Sequence, residues 1–270
     1  MQFFGKSDTG KKRRENQDSF ITEQLYDNAI LCLVCDGMGG ANGGSIASET
    51  ACREFVKQLK KKISDIMQQN RNDSEKVCRD TEKILKKAVA YANTAVFKKA
   101  SREEELEGMG TTLVSALLID KKLYITNTGD SRLYFGDSKG LTQITRDHSY
   151  VQTLVDMGQL TPEEAENNPH KNIITKAIGT QKKIEPDVFY ADLEESGTEY
   201  ILMCSDGLTN FVDKAEIHSI IKEGTDLEAV CTALIDKANE NGGGDNITVV
   251  IIKLDSEPLG DKKADEGAEG

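Results

Sequence analysis

One stretch constrains this chain more than any other: Ile30-Leu31-Cys32-Leu33-Val34-Cys35 runs straight into Asp36-Gly37-Met38-Gly39-Gly40. Six apolar residues without polar alternation read as a β-strand buried on both faces. Their length and their Val, Ile, Leu and Cys content favour strand over helix. Asp36 is expected where that strand ends and the backbone turns. A carboxylate there is costly unless something positive compensates it, and the glycines let the backbone come close to that partner. Taken alone, Asp36-Gly37 reads equally well as a plain turn.

The rest of the chain supplies the context. Residues 3–9 read as a first strand, followed by a polar loop, 10–18, and a strand over 19–25. After Asn42-Gly43-Gly44-Ser45 a helix is expected over 46–67, because Ala51, Phe55, Leu59, Ile63 and Met67 recur every four residues. A polar break at 68–73 precedes a second amphipathic helix carrying Val77, Leu85, Ala88, Ala92 and Val96. Two such helices in succession predict a helical layer packed on a sheet. Strands at 113–119, 122–126 and 132–135 have the spacing of an antiparallel meander, with Gly129-Asp130 as a hairpin turn. Residues 147–180 change character, with two short helices and irregular connections, and read as an inserted flap. A strand over 185–190 follows. Residues 199–204 then repeat the opening theme, a buried strand ending in Ser205-Asp206-Gly207. Helices at 213–222 and 227–239 lead to a strand over 247–253. Residues 1–255 are thus expected to form one domain, and 256–270 a disordered acidic tail.

Composition narrows the function. At 270 residues with 37% hydrophobic and 30% charged side chains, the chain fits a globular protein. A net charge of −12 argues against a nucleic-acid surface, which needs a Lys/Arg excess, and suits cationic partners including metal ions. No apolar run approaches the roughly 20 residues of a membrane span, and the N-terminus lacks a signal-peptide core, so a cytoplasmic location is expected. The six cysteines sit in apolar segments. Cys32 and Cys35 have the spacing of a metal or redox motif, but strand residues three apart point to opposite faces and cannot share a zinc ion. Buried free thiols are the expected state.

Asp18, Asp36, Asp130, Asp206 and Asp245 all fall at strand edges. If the strands form one sheet system, several of these carboxylates converge, and converging carboxylates need divalent cations. An all-oxygen ligand set selects hard ions such as Mg²⁺ or Mn²⁺. Two such ions activate a water and clamp a phosphoryl group. The basic run Lys11 to Arg14 reads as a solvated turn in isolation. Beside Asp18 and against an acidic background it also suits phosphate binding. The Gly39 to Gly44 cluster is no nucleotide loop, since no Lys-Ser/Thr follows it.

These stretches resemble the bacterial-type metal-dependent Ser/Thr protein phosphatases, the type 2C or PPM family. The matching motifs are Arg13-Arg14-Glu15-Asn16-Gln17-Asp18, Asp36-Gly37-Met38-Gly39-Gly40, Gly110-Thr111-Thr112, Gly129-Asp130-Ser131-Arg132, Asp147-His148-Ser149, Ser205-Asp206-Gly207 and Gly244-Asp245-Asn246, in the family's order. The resemblance implies an α+β fold, a two-sheet antiparallel β-sandwich flanked by helices on both outer faces. It implies hydrolysis of phosphoserine and phosphothreonine on proteins by a metal-activated water at a dinuclear Mg²⁺ or Mn²⁺ centre. Two ions would be tightly bound, with a weaker third. Asp36 would bridge two metals, the Gly37 carbonyl would complete one, and Asp206 and Asp245 would hold the other. Asp130, with Asp206, would hold the third. Asp18 would hydrogen-bond metal-bound water, Arg13 would bind the substrate phosphate, and Asn246 would support the site from behind. A monomer acting on phosphoproteins opposite a partner Ser/Thr kinase is implied. The alternative is a catalytically weak, phosphoprotein-binding regulator of the same family, but no metal-binding aspartate is missing. The sequence departs from common family patterns at Gln17, Met38, Ala41, Asn168 and Lys176. Met38 and Ala41 stand where relatives carry His, so metal-bound water is expected to supply the leaving-group proton, with His148 as the nearest rival.

Overall fold

The computed structural model describes residues 1–68, 74–194 and 196–254. The expected tail, 256–270, lies outside the described residues, as do Asp255 and most of the expected break at 68–73. The predicted buried strand is β3 (Ala29–Met38), and it sits at the centre of the molecule. Leu31, Leu33 and Cys35 face one hydrophobic layer, and Ile30, Cys32 and Val34 face another. Cys32 and Cys35 therefore lie on opposite faces, as their spacing requires.

Two antiparallel sheets build the sandwich. β3 belongs to a six-stranded sheet with β2 (Asp18–Tyr26), β4 (Gly110–Thr111), β5 (Leu113–Ile119), β6 (Lys122–Thr128) and β9 (Asp187–Asp192), ordered β2-β3-β5-β6-β9 with β4 paired to the end of β3. The five-stranded sheet runs β1-β11-β10-β7-β8, from β1 (Gln2–Asp8), β7 (Arg132–Gly136), β8 (Leu141–Gln143), β10 (Tyr200–Cys204) and β11 (Ile247–Lys253). Between the sheets, Val34, Val114 and Ala116 meet Ile201, Met203, Val250 and Ile252. Outside the larger sheet lie α1 (Gly40–Gln68) and α2 (Ser74–Ala100), burying Phe55, Leu59, Leu85 and Val96 against Leu33 and Leu117. Outside the smaller sheet lie α6 (Lys214–Glu223) and α7 (Leu227–Glu240), burying Ile217 and Leu234 against Leu202 and Val249. This is the expected α+β sandwich. Among the described residues no helix is long and apolar enough to cross a membrane.

Three local expectations are corrected. Asp36 does not mark the end of its strand: β3 continues to Met38, because β4 pairs Gly37 with Thr111 and Met38 with Gly110. α1 begins at Gly40, not Ile46, so Gly43 and Gly44 lie inside it. Gly37 and Gly44 permit a close approach of strand and helix, since a Cβ at Gly37 would overlap the Gly44 carbonyl and lie 2.5 Å from that of Gln17. The predicted meander is broken at Gly129-Asp130. β6 pairs with β5 and β9, whereas β7 pairs with β8 and β10 in the other sheet. Residues 129–131 are thus a crossover between sheets, which explains why Asp130 is buried rather than perched on a hairpin tip. The inserted segment carries α3 (Tyr150–Asp156) and α4 (Pro162–Glu166), as expected.

The approach at Gly37 yields a stability test. Gly37→Ala forces a methyl against two backbone carbonyls, so urea denaturation should show a loss on the order of 1–3 kcal/mol. Parental stability in that variant would mean that the first turns of α1 can retreat.

Candidate metal centre

The acidic positions gather at one edge of the sandwich. Asp18, the first residue of β2, stands opposite Asp36 in the β2–β3 ladder. Asp130 lies in the crossover. Asp206 opens the short helix α5 (Asp206–Thr209) after β10, and Asp245 precedes β11. Burial and the charges of Asp18, Asp206, Asp130 and Asp245 push the Asp36 carboxyl well above the usual range. Burial and Asp206 do the same to Asp130. Burial raises Asp18 to about 7, against the opposing hydrogen bonds from Thr248 and Ser205. Burial, then Asp245, raises Asp206 to about 6. Each carboxylate thus opposes the ionisation of its neighbours, and such a cluster needs protons or cations to offset it.

Hydroxyl groups hold these carboxylates in place. Ser205 Oγ and Thr248 Oγ1 donate to Asp18 Oδ2 at 2.8 and 2.6 Å. Both donors belong to the smaller sheet's end of the site, so this carboxylate spans the two sheets. Thr112 Oγ1 accepts the Asp36 N–H at 2.9 Å and lies 2.7 Å from Ser131 Oγ, tying β3 to the crossover. The Asp36 carbonyl accepts from the Thr111 hydroxyl and the Thr112 N–H. Asn210 Nδ2 donates to Asp206 Oδ2 at 2.9 Å. None of Ser131, Ser205, Asn210 or Thr248 was singled out by sequence for such a role. For the three hydroxyls the available signal was a small polar residue in or next to an otherwise apolar strand; Asn210 carried none.

Asn246 is a hub. Its Oδ1 accepts the Gln17 N–H, and its Nδ2 donates to the Thr9 and Glu15 carbonyls, each at 2.9 Å. It thereby stitches the Arg13 loop to the edge of β11. Arg13 Nη2 donates to Asp245 Oδ2 at 2.8 Å, a largely exposed pair. Arg132, by contrast, is partly buried against Asp147, donating from Nε and Nη2 at 3.0 and 2.7 Å to Asp147 Oδ2. Its charge opposes the rise of both Asp130 and Asp206.

The donor set fits hard cations. One oxygen on each of Asp18, Asp130 and Asp206 is buried without a hydrogen-bond partner. A Cβ at Gly44 would lie 2.8 Å from the Gly37 carbonyl oxygen, so glycine keeps that oxygen's surroundings clear. Among the described residues no three His, Cys, Asp or Glu side chains converge tightly enough to hold an ion unaided. That is compatible with Mg²⁺-type ions, which keep several waters and take only one or two carboxylates. Beside the carboxylates opens a cleft of about 800 Å³. Asp130, Asp206 and Arg132 line one side, and Val151, Val155 and Ala165 of the inserted segment line the other. Asp18, Asp36 and Asp245 lie outside that lining, so the cleft flanks the carboxylate group on its Asp130 side.

The remaining candidates separate cleanly. His148 is close to the crossover, where its Nδ1 accepts the Gly129 N–H at 3.0 Å. His218 sits on α6, bonded to the Tyr200 hydroxyl at 2.7 Å, on the outer face of the smaller sheet and apart from the carboxylates.

Comparison with known proteins identifies the family. The profile of the protein phosphatase 2C family matches residues 7–234. The serine/threonine phosphatase stp of Listeria monocytogenes serovar 1/2a is 37% identical over 250 residues, covering 93% of this chain and 94% of that protein. The crystal structure of the serine/threonine phosphatase Stp1 from Staphylococcus aureus superposes with a TM-score of 0.81 at 35% identity, covering 94% of this chain and 95% of that one. The catalytic domain of the serine/threonine protein phosphatase PstP, in complex with two manganese ions, gives 0.75 at 32% identity, covering 93% and 96%. With its fold, its motifs in order and its carboxylates at one edge of the sandwich, the chain belongs to the protein phosphatase 2C family.

Proposed function

We propose that Asp36, Asp206 and Asp245, with the Gly37 carbonyl, hold a pair of Mn²⁺ or Mg²⁺ ions, that Asp130 and Asp206 hold a weaker third, and that the site hydrolyses phosphoserine and phosphothreonine on proteins. The observation that carries the assignment is the set of orphaned, buried oxygens on Asp18, Asp130 and Asp206 amid mutually repelling carboxylates. When bound, the ions supply water activation and charge neutralisation at the phosphoryl group. The protein's own residues do the rest. Asp18 has Oδ2 committed to Ser205 and Thr248, which leaves Oδ1 to accept a hydrogen bond from the attacking water and orient it. Arg13 uses one nitrogen on Asp245 and keeps further N–H groups for the substrate phosphate. The Asn246 bonds hold the Arg13 loop in register with Asp245. The cleft beside Asp130 receives the protein substrate, with residues 147–180 as its movable wall. Residues 1–255 act as one catalytic domain. The reading includes a cytoplasmic monomer opposing a Ser/Thr kinase, supported by six buried free thiols, which suit a reducing compartment.

Three outcomes test this reading. Purified protein should hydrolyse an aryl phosphate with Mn²⁺ and stop in EDTA, and Asp36→Asn and Asp206→Asn should each remove nearly all turnover. Full activity in either variant defeats the assignment.

The carboxylates also set a pH dependence. The folded Asp18 carboxyl is raised from 3.8 to about 7, so its stabilising contribution is present at low pH and lost as pH rises from about 4 to about 7. In EDTA, calorimetry should show Asp18→Asn gaining in Tm relative to the parent across that window. A constant difference between the two proteins would argue that Asp18 is not a strained buried acid.

For the flap, replacing 150–172 by an unrelated linker should slow hydrolysis of phosphopeptides more than that of an aryl phosphate. Equal effects would make the segment structural only.

A further inference from the structure

One residue clamps the turn that presents Asp130. His148 donates its backbone N–H to the Gly129 carbonyl at 2.9 Å, and its Nδ1 accepts the Gly129 N–H at 3.0 Å. Both hydrogen-bonding groups of the Gly129 backbone thus end on His148. Gly129 has φ +108°, a conformation that L side chains rarely adopt, and a Cβ there would lie 2.6 Å from Thr112 Cγ2. The position must be glycine, so it has no side chain with which to anchor the turn. On the far side of the ring, His148 Nε2 lies 3.1 Å from Asp187 Oδ2. With Nδ1 accepting, the neutral ring carries its proton on Nε2 and donates to Asp187. Lys176 Nζ stands 3.0 Å from Nε2 and 3.4 Å from Asp187 Oδ1, sharing the same carboxylate.

We infer that His148 is a positioning residue: by clamping the Gly129 peptide it fixes the Asp130 carboxylate for the weaker, outer cation. The inference rests on the assignment of Asp130 proposed above. Asp130 Oδ1 is buried with no partner of its own, so the placement of this carboxylate depends on its backbone. That backbone is held on one side by the Ser131–Thr112 hydroxyl pair and on the other by His148. The role differs from that of a proton donor to the departing alkoxide. A donor needs a ring N–H free to face the substrate, whereas here Nδ1 is occupied by Gly129 and the Nε2 proton by Asp187.

Two readouts test it: Mn²⁺ titration by calorimetry, and amide hydrogen exchange at Gly129 in the metal-free protein. In His148→Ala, affinity in the weak phase should fall roughly 5-fold to 10-fold, as expected for one lost hydrogen bond, while the tight phase stays unchanged. Protection of the Gly129 amide should fall with it. In His148→Asn, whose Oδ1 can stand where Nδ1 stood, both should return towards parental values. Asp187→Ala, a change at a half-exposed side chain, should shift both readouts less and in the same direction. It decides the matter should His148→Ala not fold. Rates on a phosphopeptide and on an aryl phosphate should drop by similar factors. Unchanged weak-phase affinity in these variants overturns the inference, and so does a loss near 10²-fold confined to the phosphopeptide, which marks a general acid. If Asp130→Ala leaves the weak phase intact, the assignment of Asp130 falls and this inference falls with it.

Discussion

The structure depends on one electrostatic problem. Asp18, Asp36, Asp130 and Asp206 are held where burial and mutual repulsion oppose their ionisation. Such an arrangement survives only if stronger forces hold its members, because each group alone would relax towards water. The sandwich supplies those forces. Asp18 and Asp36 are anchored in neighbouring strands: the β3 residues before Asp36 are buried in two hydrophobic layers, and Ile21 and Phe20 of β2 pack partly buried against the same layers. The tight approach of α1 to β3 at Gly37 and Gly44 closes the remaining side. Folding energy spread over a large apolar core therefore maintains a small region of high local tension, which is a common basis for a binding site.

Much of this was legible in the sequence, because strand periodicity and acidic strand ends are local properties. The double burial of β3 follows from six consecutive apolar residues, and the opposed faces of Cys32 and Cys35 follow from the pleat. The end of β3 was misplaced since its last pairing, with Gly110 and Thr111, comes from a strand far along the chain. The meander was misread for a related reason. Periodicity identifies β6 and β7 as strands but does not say which sheet each joins, and only tertiary pairing separates them. The roles of the Ser205 and Thr248 hydroxyls were hard to read, because a threonine in a strand needs no explanation beyond β propensity and Ser205 reads as part of its Asp-Gly turn. Their meaning lies in Asp18, nearly the whole chain away.

With no His at Met38 or Ala41, His148 stood as the rival to water for the leaving-group proton. Its surroundings give both ring nitrogens structural partners, and burial together with the Lys176 ammonium holds its pKa below the ordinary histidine value. The same residue begins the inserted segment. The exit of that segment returns to it, since Thr175 donates its N–H to the His148 carbonyl. Entrance, exit and crossover are therefore bonded at one point.

The hydrogen bonds from Ser205 and Thr248 to Asp18 make the gap between the sheets a mechanical variable of the site. The side chains that fill this gap, among them Val34, Ala116, Ile201, Met203 and Val250, act as spacers. Interiors pack densely and transmit strain, so a bulkier spacer pries the sheets apart and a smaller one lets them settle. Either change reaches the carboxylate that bridges the seam without altering any residue of the site itself. Drift in the core and drift in catalysis are thus coupled in this fold, and the reactivity of the edge is open to adjustment from deep inside the protein.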